Sequence, residues 1–257
     1  MRFASIGSGS SGNALIVECG RTRILLDCGF STRETEARLA RLGIEAAGLS
    51  ALVVTHEHDD HASGAFGLAR RYGIPVYLTH GTLAALHETD PAVDADAQVR
   101  LLCADAALEI GDVCVLPYTV PHDAREPVQY VFSDGARRLG VLTDTGCATT
   151  HIRDVLSGCD ALVLETNHDL GMLMSGDYPY SLKSRIAGRM GHLDNGASAG
   201  LLGELDASRL KHVVAAHLSQ KNNTPELARA ALAAVLGCKP DWIEVATQER
   251  GFDWKET

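Results

Sequence analysis

Short apolar runs bounded by turn residues alternate with amphipathic segments along the whole chain. The first part of the chain predicts strands over 2–6, 14–18, 23–26, 51–55 and 76–79 and helices over 31–42, 61–72 and 81–87. The remainder predicts strands over 113–118, 130–133, 139–143, 161–165, 212–216 and 242–246 and helices over 149–157, 180–190, 196–205 and 225–236. Since strands and helices occur in both halves, we expect an α/β fold with two sheets packed face to face and helices outside.

Composition narrows the class of protein. The length of 257 residues suits one large domain or two small ones, and 46% hydrophobic with 22% charged residues is typical of a globular chain. Neither a signal peptide nor an apolar run long enough to span a bilayer occurs. The seven cysteines are an odd number without a Cys-x-x-Cys pair, which indicates reduced thiols. We therefore expect a cytoplasmic protein without membrane association.

The net charge of −10 argues mildly against a broad nucleic-acid-binding face. Bound divalent cations would reverse the charge locally, because they are the largest charges in such a site. The overall charge therefore does not decide whether the substrate is anionic.

A six-residue histidine motif carries the clearest chemical signal. Residues 55–61 read Thr-His-Glu-His-Asp-Asp-His, which places His56, His58, Asp60 and His61 directly after the apolar strand 51–55. Imidazoles and carboxylates are ligands of zinc and manganese, and strand-end loops commonly hold the sites of α/β folds. Four ligands so close in sequence cannot all bind one ion well. We expect His56 and His58 on one ion and Asp60 and His61 on a second.

Further ligand-type residues follow other predicted strands. His122 comes just past strand 113–118, Asp144 follows strand 139–143, and His217 follows strand 212–216. Each alone is compatible with an ordinary polar residue. Their joint occurrence after the histidine motif favours a metal site with ligands from several strands.

A glycine- and serine-rich loop, residues 7–13, separates the first two predicted strands. Its hydroxyl and backbone N–H groups, with Ser11 and Asn13 among its residues, could contact a phosphate, and a plain tight turn beside the site is equally compatible. The loop lacks both the Gly-Lys-Ser/Thr and the Gly-x-Gly-x-x-Gly pattern, so it is not a nucleotide-binding fingerprint.

The His-x-His-x-Asp-His motif, Asp27 before it, and His122, Asp144 and His217 after it resemble the metallo-β-lactamase fold superfamily. A narrower resemblance, to the YycJ/WalJ family, rests on segments 7–13, 55–61, 121–124, 165–169, 191–195, 216–219 and 222–227. This resemblance implies a four-layer αββα sandwich that forms a single domain over 1–257. It also implies two divalent metal ions (zinc, manganese or iron) and a phosphodiesterase, namely a 5′-exonuclease acting on DNA.

The resemblance also implies roles for individual residues. His56, His58 and His122 would hold one ion, Asp60, His61 and His217 the other, and Asp144 would bridge them. Asp27 would orient the histidine loop without binding metal. Two such ions would turn a shared water into a hydroxide nucleophile near neutral pH, with Asp60 and Asp144 holding it.

A departing oxygen needs a proton, and His192 or His168 could supply it as general acid, although a structural histidine is a comparable alternative for each. Asn167 is a further candidate near the chemistry. Lys183, Arg185 and Lys221 could form a basic rim for a DNA backbone, or could be ordinary solvated charges.

Two other functions stay open at this point. A small-molecule hydrolase of the same fold, acting on a cyclic phosphodiester, a thioester or a lactone, fits the acidic charge and the absence of room for a second domain. A non-catalytic metal- or nucleic-acid-binding module is disfavoured, because the ligand set is intact. The sequence does not predict an oligomeric state.

Overall fold

Two seven-stranded sheets form the centre of the molecule, in a computed structural model that describes residues 1–257. The first sheet contains β1 (Arg2–Gly7), β2 (Ala14–Cys19), β3 (Thr22–Leu26), β4 (Ala51–Val53), β5 (Val76–Thr79), β6 (Val99–Leu102) and β14 (Phe252–Glu256), in the spatial order β14-β1-β2-β3-β4-β5-β6. The second contains β7 (Leu108–Ile110), β8 (Val113–Thr119), β9 (Val128–Ser133), β10 (Arg138–Leu142), β11 (Ala161–Glu165), β12 (His212–Ala216) and β13 (Glu244–Val245), in the order β13-β12-β11-β10-β9-β8-β7.

Nine α-helices accompany the sheets. They are α1 (Thr32–Arg41), α2 (Asp59–Ala62), α3 (Ala65–Tyr72), α4 (His80–Thr89), α5 (Thr150–Leu156), α6 (Leu170–Ser175), α7 (Tyr180–Ile186), α8 (Asn195–Glu204) and α9 (Pro225–Leu236), with short 3-10 turns at Ala46–Gly48 and Pro240–Trp242. None of them combines the length and the apolar composition that a membrane crossing requires.

Alternation along the strands builds the layers. In β4, Ala51 and Val53 face a core between the two sheets, whereas Leu52 faces a second core under α1 and α3. A third core lies between the second sheet and α5, α8 and α9, where Ile152 and Leu232 are buried. Successive side chains of a strand point to opposite faces, so one apolar run can supply both cores. The predicted four-layer αββα sandwich is confirmed.

Strand direction brings the candidate residues to one edge. Strands β3 to β6 are parallel in the first sheet, and β10 to β13 are parallel in the second. Strand β8 runs in the same direction as β10, because both pair antiparallel with β9. The segments that follow β4, β8, β10 and β12 therefore meet at the same edge of the sandwich.

Two predicted helices are wrong in extent. The helix expected over 61–72 is two helices, α2 and α3, separated at Gly64. The Gly64 N–H donates to the Cys28 carbonyl (2.8 Å), and a Cβ at Gly64 would collide with the Phe30 carbonyl. The helix expected over 180–190 ends at Ile186, whose carbonyl accepts from the His192 N–H (2.8 Å). Tertiary contacts at close-packed glycines interrupt both patterns.

The other differences are four strands at sheet edges and one short helix. The strand expected over 242–246 is reduced to β13, since a 3-10 turn occupies Pro240–Trp242. Strands β6, β7 and β14 and helix α6 were not predicted. β14 reads Phe-Asp-Trp-Lys-Glu and is half solvated, so it lacks the continuous apolar run of a central strand.

Candidate metal centre

Three imidazoles converge in the first half of the site. His56 Nε2 lies 3.0 Å from His58 Nδ1, which lies 3.3 Å from His122 Nε2. His58 is the N-cap residue of the short helix α2. His56 precedes this helix, and His61 lies within it. His122 follows β8 and is fully buried. The structure thus brings together three residues that the sequence separates by up to 66 positions.

In His58 and His122, the ring nitrogen that points away from the cluster donates to a backbone carbonyl. His58 Nε2 donates to the Asp123 carbonyl (3.2 Å), and His122 Nδ1 donates to the Gly191 carbonyl (3.1 Å). A carbonyl can only accept, so in both rings the nitrogen that faces the cluster carries a lone pair. Both lone pairs point at the same space, which is the arrangement that a metal ion requires.

A second cluster lies beside the first. Asp60 Oδ2 is 3.3 Å from His217 Nε2 and 3.4 Å from His61 Nε2. His217 has a left-handed backbone (φ 55°), which is uncommon outside glycine, asparagine and aspartate. This conformation turns the chain sharply at the end of β12, where the site lies, and strain of this kind concentrates at functional sites.

Asp144 lies between the two clusters. Its Oδ2 is 3.0 Å from His61 Nε2, and its Oδ1 is 3.2 Å from His192 Nδ1, 3.6 Å from His217 Nδ1 and 4.0 Å from His122 Nε2. The carboxylate is 2% exposed, and no hydrogen bond of good geometry satisfies its Oδ2. A buried carboxylate is costly unless cationic groups or a metal ion neutralise it.

The donor set fits divalent cations. Ligand atoms about 2.0–2.1 Å from a tetrahedral zinc ion are about 3.3 Å apart, and the 3.0–3.4 Å separations within both clusters match this spacing. The candidate ligand atoms of each triad lie within 4.8 Å of one another. Nitrogen and carboxylate donors in this proportion suit zinc, manganese and iron alike.

Charges in the site also call for a cation. Burial lowers the pKa of His61, but the carboxylates of Asp144, Asp60 and Asp27 outweigh it and raise that pKa well above its usual value. Burial raises the pKa of Asp60, but His61 and His217 outweigh it and hold that pKa below its usual range. The carboxylates that raise the pKa of His61 would equally stabilise a bound cation.

Asp27 connects the histidine loop to the end of β3. Its Oδ1 accepts from the Thr55 N–H (2.8 Å), and its Oδ2 accepts from His61 Nδ1 (2.8 Å). The Thr55 hydroxyl donates to the same carboxylate (3.0 Å) and accepts from His56 Nδ1 (2.9 Å). Asp27 therefore fixes which nitrogen of His61, and through Thr55 which nitrogen of His56, faces the clusters.

A histidine and a glutamate adjoin Asp144. His192 Nδ1 lies 2.7 Å from Glu165 Oε1, and the side chain of His192 is 23% exposed. Burial lowers the pKa of His192, but Glu165 and Asp144 outweigh it and raise that pKa to about 10. Because Nδ1 faces the carboxylates, a proton on Nε2 can be directed at a substrate. The structure brings His192 to the clusters.

Glu165 was not singled out from the sequence. It ends β11, and its Oε2 accepts from the N–H groups of Thr145 (3.0 Å) and Leu193 (3.2 Å). The available signal was its position at the carboxyl end of a fully apolar parallel strand, between strands that lead to Asp144 and His217.

The other general-acid candidate lies elsewhere. His168 is 1% exposed, its Nδ1 lies 3.2 Å from Asn167 Oδ1, its Nε2 has no hydrogen-bond partner, and no ion pair joins it to the clusters. Asn167 does reach the site, since its Nδ2 donates to the His217 carbonyl (2.9 Å). The geometry therefore favours His192 over His168 as the residue that faces a substrate.

The loop 7–13 also reaches the second cluster. Asn13 Nδ2 lies 3.2 Å from Asp60 Oδ2 and 3.1 Å from His61 Nε2. Ser8 Oγ accepts from the His217 N–H (2.9 Å). Ser11 is exposed, and its hydroxyl makes no hydrogen bond within the protein. The loop thus contacts every residue of the second cluster and leaves a hydroxyl open to solvent.

The three residues of the possible basic rim have defined contacts. Arg185 pairs with Asp123 (2.6 Å), the residue whose carbonyl accepts from His58. Lys183 Nζ donates to the carbonyls of Met174 (2.8 Å) and Gly176 (2.7 Å), so it ties α7 to the end of α6. Lys221 lies 5.3 Å from the centre of the Tyr178 ring. Only Arg185 is linked to the clusters by these contacts.

Comparisons with known proteins identify the family of this chain. The family described as "Beta-lactamase superfamily domain" matches residues 22–217. The chain is 37% identical to exodeoxyribonuclease YycJ of Bacillus anthracis, over 92% of this chain and 89% of that protein. It is 32% identical to exodeoxyribonuclease WalJ of Streptococcus pneumoniae, over 90% of this chain and 86% of that protein. Zn(2+)-bound PqqB from Methylobacterium extorquens superimposes with a TM-score of 0.75 at 18% identity, with both chains fully covered.

Proposed function

This chain belongs to the β-lactamase superfamily and is a metal-dependent hydrolase, and we propose that it is a phosphodiesterase that removes nucleotides from DNA ends. The observation that carries the proposal is Asp144, a buried carboxylate that faces two sets of metal-type donors at once. Two adjacent ions with a shared carboxylate are typical of enzymes that displace an oxygen at phosphorus. The relatives named exodeoxyribonuclease support DNA as the substrate and its end as the point of attack.

We assign each ligand to one of two divalent ions. His56, His58 and His122 would hold the first, Asp60, His61 and His217 the second, and Asp144 would contact both. When bound, the ions would supply a water nucleophile near neutral pH and neutralise charge on the phosphoryl oxygens. Zinc, manganese and iron all suit this donor set.

The protein's own groups would then orient the reaction. Asp60, at the opening of the second cluster, would hold the attacking water in line through its carboxylate. His192 would donate its Nε2 proton to the departing sugar oxygen, because Glu165 holds its Nδ1 at 2.7 Å and keeps the ring protonated. Ser11 and the exposed part of loop 7–13 would contact a phosphate oxygen, and Asn13 would steady Asp60.

A DNA-degradation assay tests the proposal. We expect the protein with Mn²⁺ or Mg²⁺ to shorten linear DNA with 5′-phosphate ends, to leave a covalently closed circle of the same sequence intact, and to stop when EDTA removes the metal. No cleavage with any divalent cation contradicts the nuclease proposal. Turnover of bis-p-nitrophenyl phosphate without DNA cleavage would favour the small-molecule hydrolase. Equal cleavage of circle and line would replace the exonuclease with an endonuclease.

Replacing Asp27 with asparagine should weaken metal binding about 10- to 100-fold. Asparagine has one acceptor oxygen and cannot serve both the Thr55 N–H and His61 Nδ1, which are each 2.8 Å from the carboxylate. Competition with a chromogenic chelator measures the affinity. The matched control is Asp253→Asn, which alters an exposed carboxylate without side-chain contacts. Equal affinities of the two variants would show that Asp27 does not orient the ligands.

We also propose that the protein is cytoplasmic. All seven cysteines are free thiols, as expected for a reducing compartment.

A further inference from the structure

The loop 7–13 is itself held from the far end of the chain. Gln248 lies in the turn between β13 and β14, more than 230 residues after the loop. Its Oε1 accepts from the Ser11 N–H (2.8 Å), and its Nε2 donates to the Gly12 carbonyl (2.8 Å). One side-chain amide therefore satisfies both a donor and an acceptor of the loop backbone.

Two glycines give the loop backbone unusual conformational freedom. Gly9 and Gly12 have φ values of 145° and 149°, a region that is open to glycine and costly for other residues. Glycine is also the residue with the most conformational freedom to lose on folding. The two hydrogen bonds from the Gln248 side chain, here called the clamp, therefore restrict this loop strongly. A Cβ at Gly9 would press on Gln248 Oε1, which shows how closely the clamp is fitted.

Gln248 is in turn fixed by helix α1. Arg38 Nη1 donates to the Gln248 carbonyl (2.9 Å) and to the Ile6 carbonyl (2.8 Å). The guanidinium is stacked 4.1 Å above the Phe30 ring, and Glu34 pairs with it (2.6 Å). The backbone of Gln248 is thus tied to α1, which fixes the point from which its side chain reaches the loop.

Hydrogen bonds from the loop in turn reach the second cluster. The Gly9 N–H and the Ser8 hydroxyl both donate to Asn13 Oδ1 (2.8 and 3.2 Å), which orients the Asn13 amide toward Asp60 and His61. No hydrogen bond of Gln248 or of loop 7–13 reaches His56, His58 or His122, whereas those of Asn13 and Ser8 reach Asp60, His61 and His217. The direct bonds of the loop therefore end in the second cluster.

We propose that Gln248 is a positioning residue for the second metal site: it holds loop 7–13 so that Asn13 and Ser8 fix Asp60, His61 and His217. The inference rests on the ligand assignment made above. We expect that loss of Gln248 weakens the second metal site alone, whereas a general loss of stability would weaken both metal sites together.

Calorimetric titration with Mn²⁺ or Zn²⁺ tests the inference on the metal-free wild type and three variants. Gln248→Ala should weaken one of the two binding events about tenfold and leave the other within about twofold. Gln248→Glu keeps an acceptor for Ser11 but sets a carboxylate against the Gly12 carbonyl, and should weaken the same event at least as much. The control is Gln220→Ala, which should match the wild type. Gln220 is exposed, its side chain makes no hydrogen bond, and it lines the same surface cavity as Gln248.

Amide hydrogen exchange provides a readout that is independent of the metal. In the metal-free protein, exchange at Ser11 should accelerate in Gln248→Ala and stay unchanged in Gln220→Ala, because only the former removes its acceptor. Two binding events with both affinities unchanged in Gln248→Ala would overturn this inference alone. Equal weakening of both events would also overturn it. A wild-type protein that binds one ion would overturn it together with the two-ion assignment.

Discussion

Replacing Asp144 with asparagine should lower kcat/KM on DNA by about 10³-fold or more, and the purified variant should contain less metal than the wild type. The carboxylate is 2% exposed and lies within 3.0–4.0 Å of His61, His192, His217 and His122. Asparagine keeps the shape but removes the charge that both ions share, and it places an NH₂ group among nitrogen donors.

Metal analysis by mass spectrometry and single-turnover kinetics check this prediction together. The Asp253→Asn variant is again the matched control, because it changes the net charge equally at an exposed position. Circular dichroism of both variants without metal separates a folding defect from a binding defect. A fully active enzyme with unchanged metal content would refute the bridging role of Asp144.

Replacing His192 with alanine should lower kcat on DNA by about 10²- to 10³-fold while the metal content stays near that of the wild type. The ring is 23% exposed and is held by Glu165 at 2.7 Å, so its removal takes away a proton donor and leaves all seven assigned ligands in place. Glu165→Gln should cause a smaller loss, because the ring stays but its proton is held less firmly.

The leaving group distinguishes a general acid from a structural histidine. The p-nitrophenolate ion departs without a proton, so His192→Ala should lose far less activity on bis-p-nitrophenyl phosphate than on DNA. His168→Gln is the counterpart, because His168 is buried and without contacts to the clusters. If the substrate-dependent loss occurs in His168→Gln instead, the two histidines exchange roles. Equal losses on both substrates in His192→Ala would exclude proton donation by His192.

The sequence predicted the buried strands of the fold correctly, but it did not predict all of the exposed strands. The central strands β4, β11 and β12 are continuous apolar runs, and their positions agree within two residues. The edge strands β6 and β14 are half solvated, so hydrophobic patterning did not reveal them. The interruption between α2 and α3 depends on a contact of Gly64 with Cys28, which no local pattern encodes.

The candidate site shows the same division. The strands that precede His122, Asp144 and His217 run in one direction, so these three residues lie at the same edge of the sheet. Ligand-type residues after apolar runs were therefore a usable signal. Glu165 gave the same signal more weakly, because it is the last residue of a strand. Gln248 gave none, since its contact with loop 7–13 joins opposite ends of the chain and depends on β14 pairing with β1.

That pairing of β14 with β1 also orders events during synthesis. β14 lies about 245 residues after β1 in the chain, so at about 5–20 residues per second it is made on the order of 10–50 s after its partner strand. For most of this time the histidine loop exists without His217 and without the turn that holds Gln248. The nascent polypeptide thus carries a partial set of metal ligands at first, and the metal centre is completed only after His217 and the turn that holds Gln248 have been made.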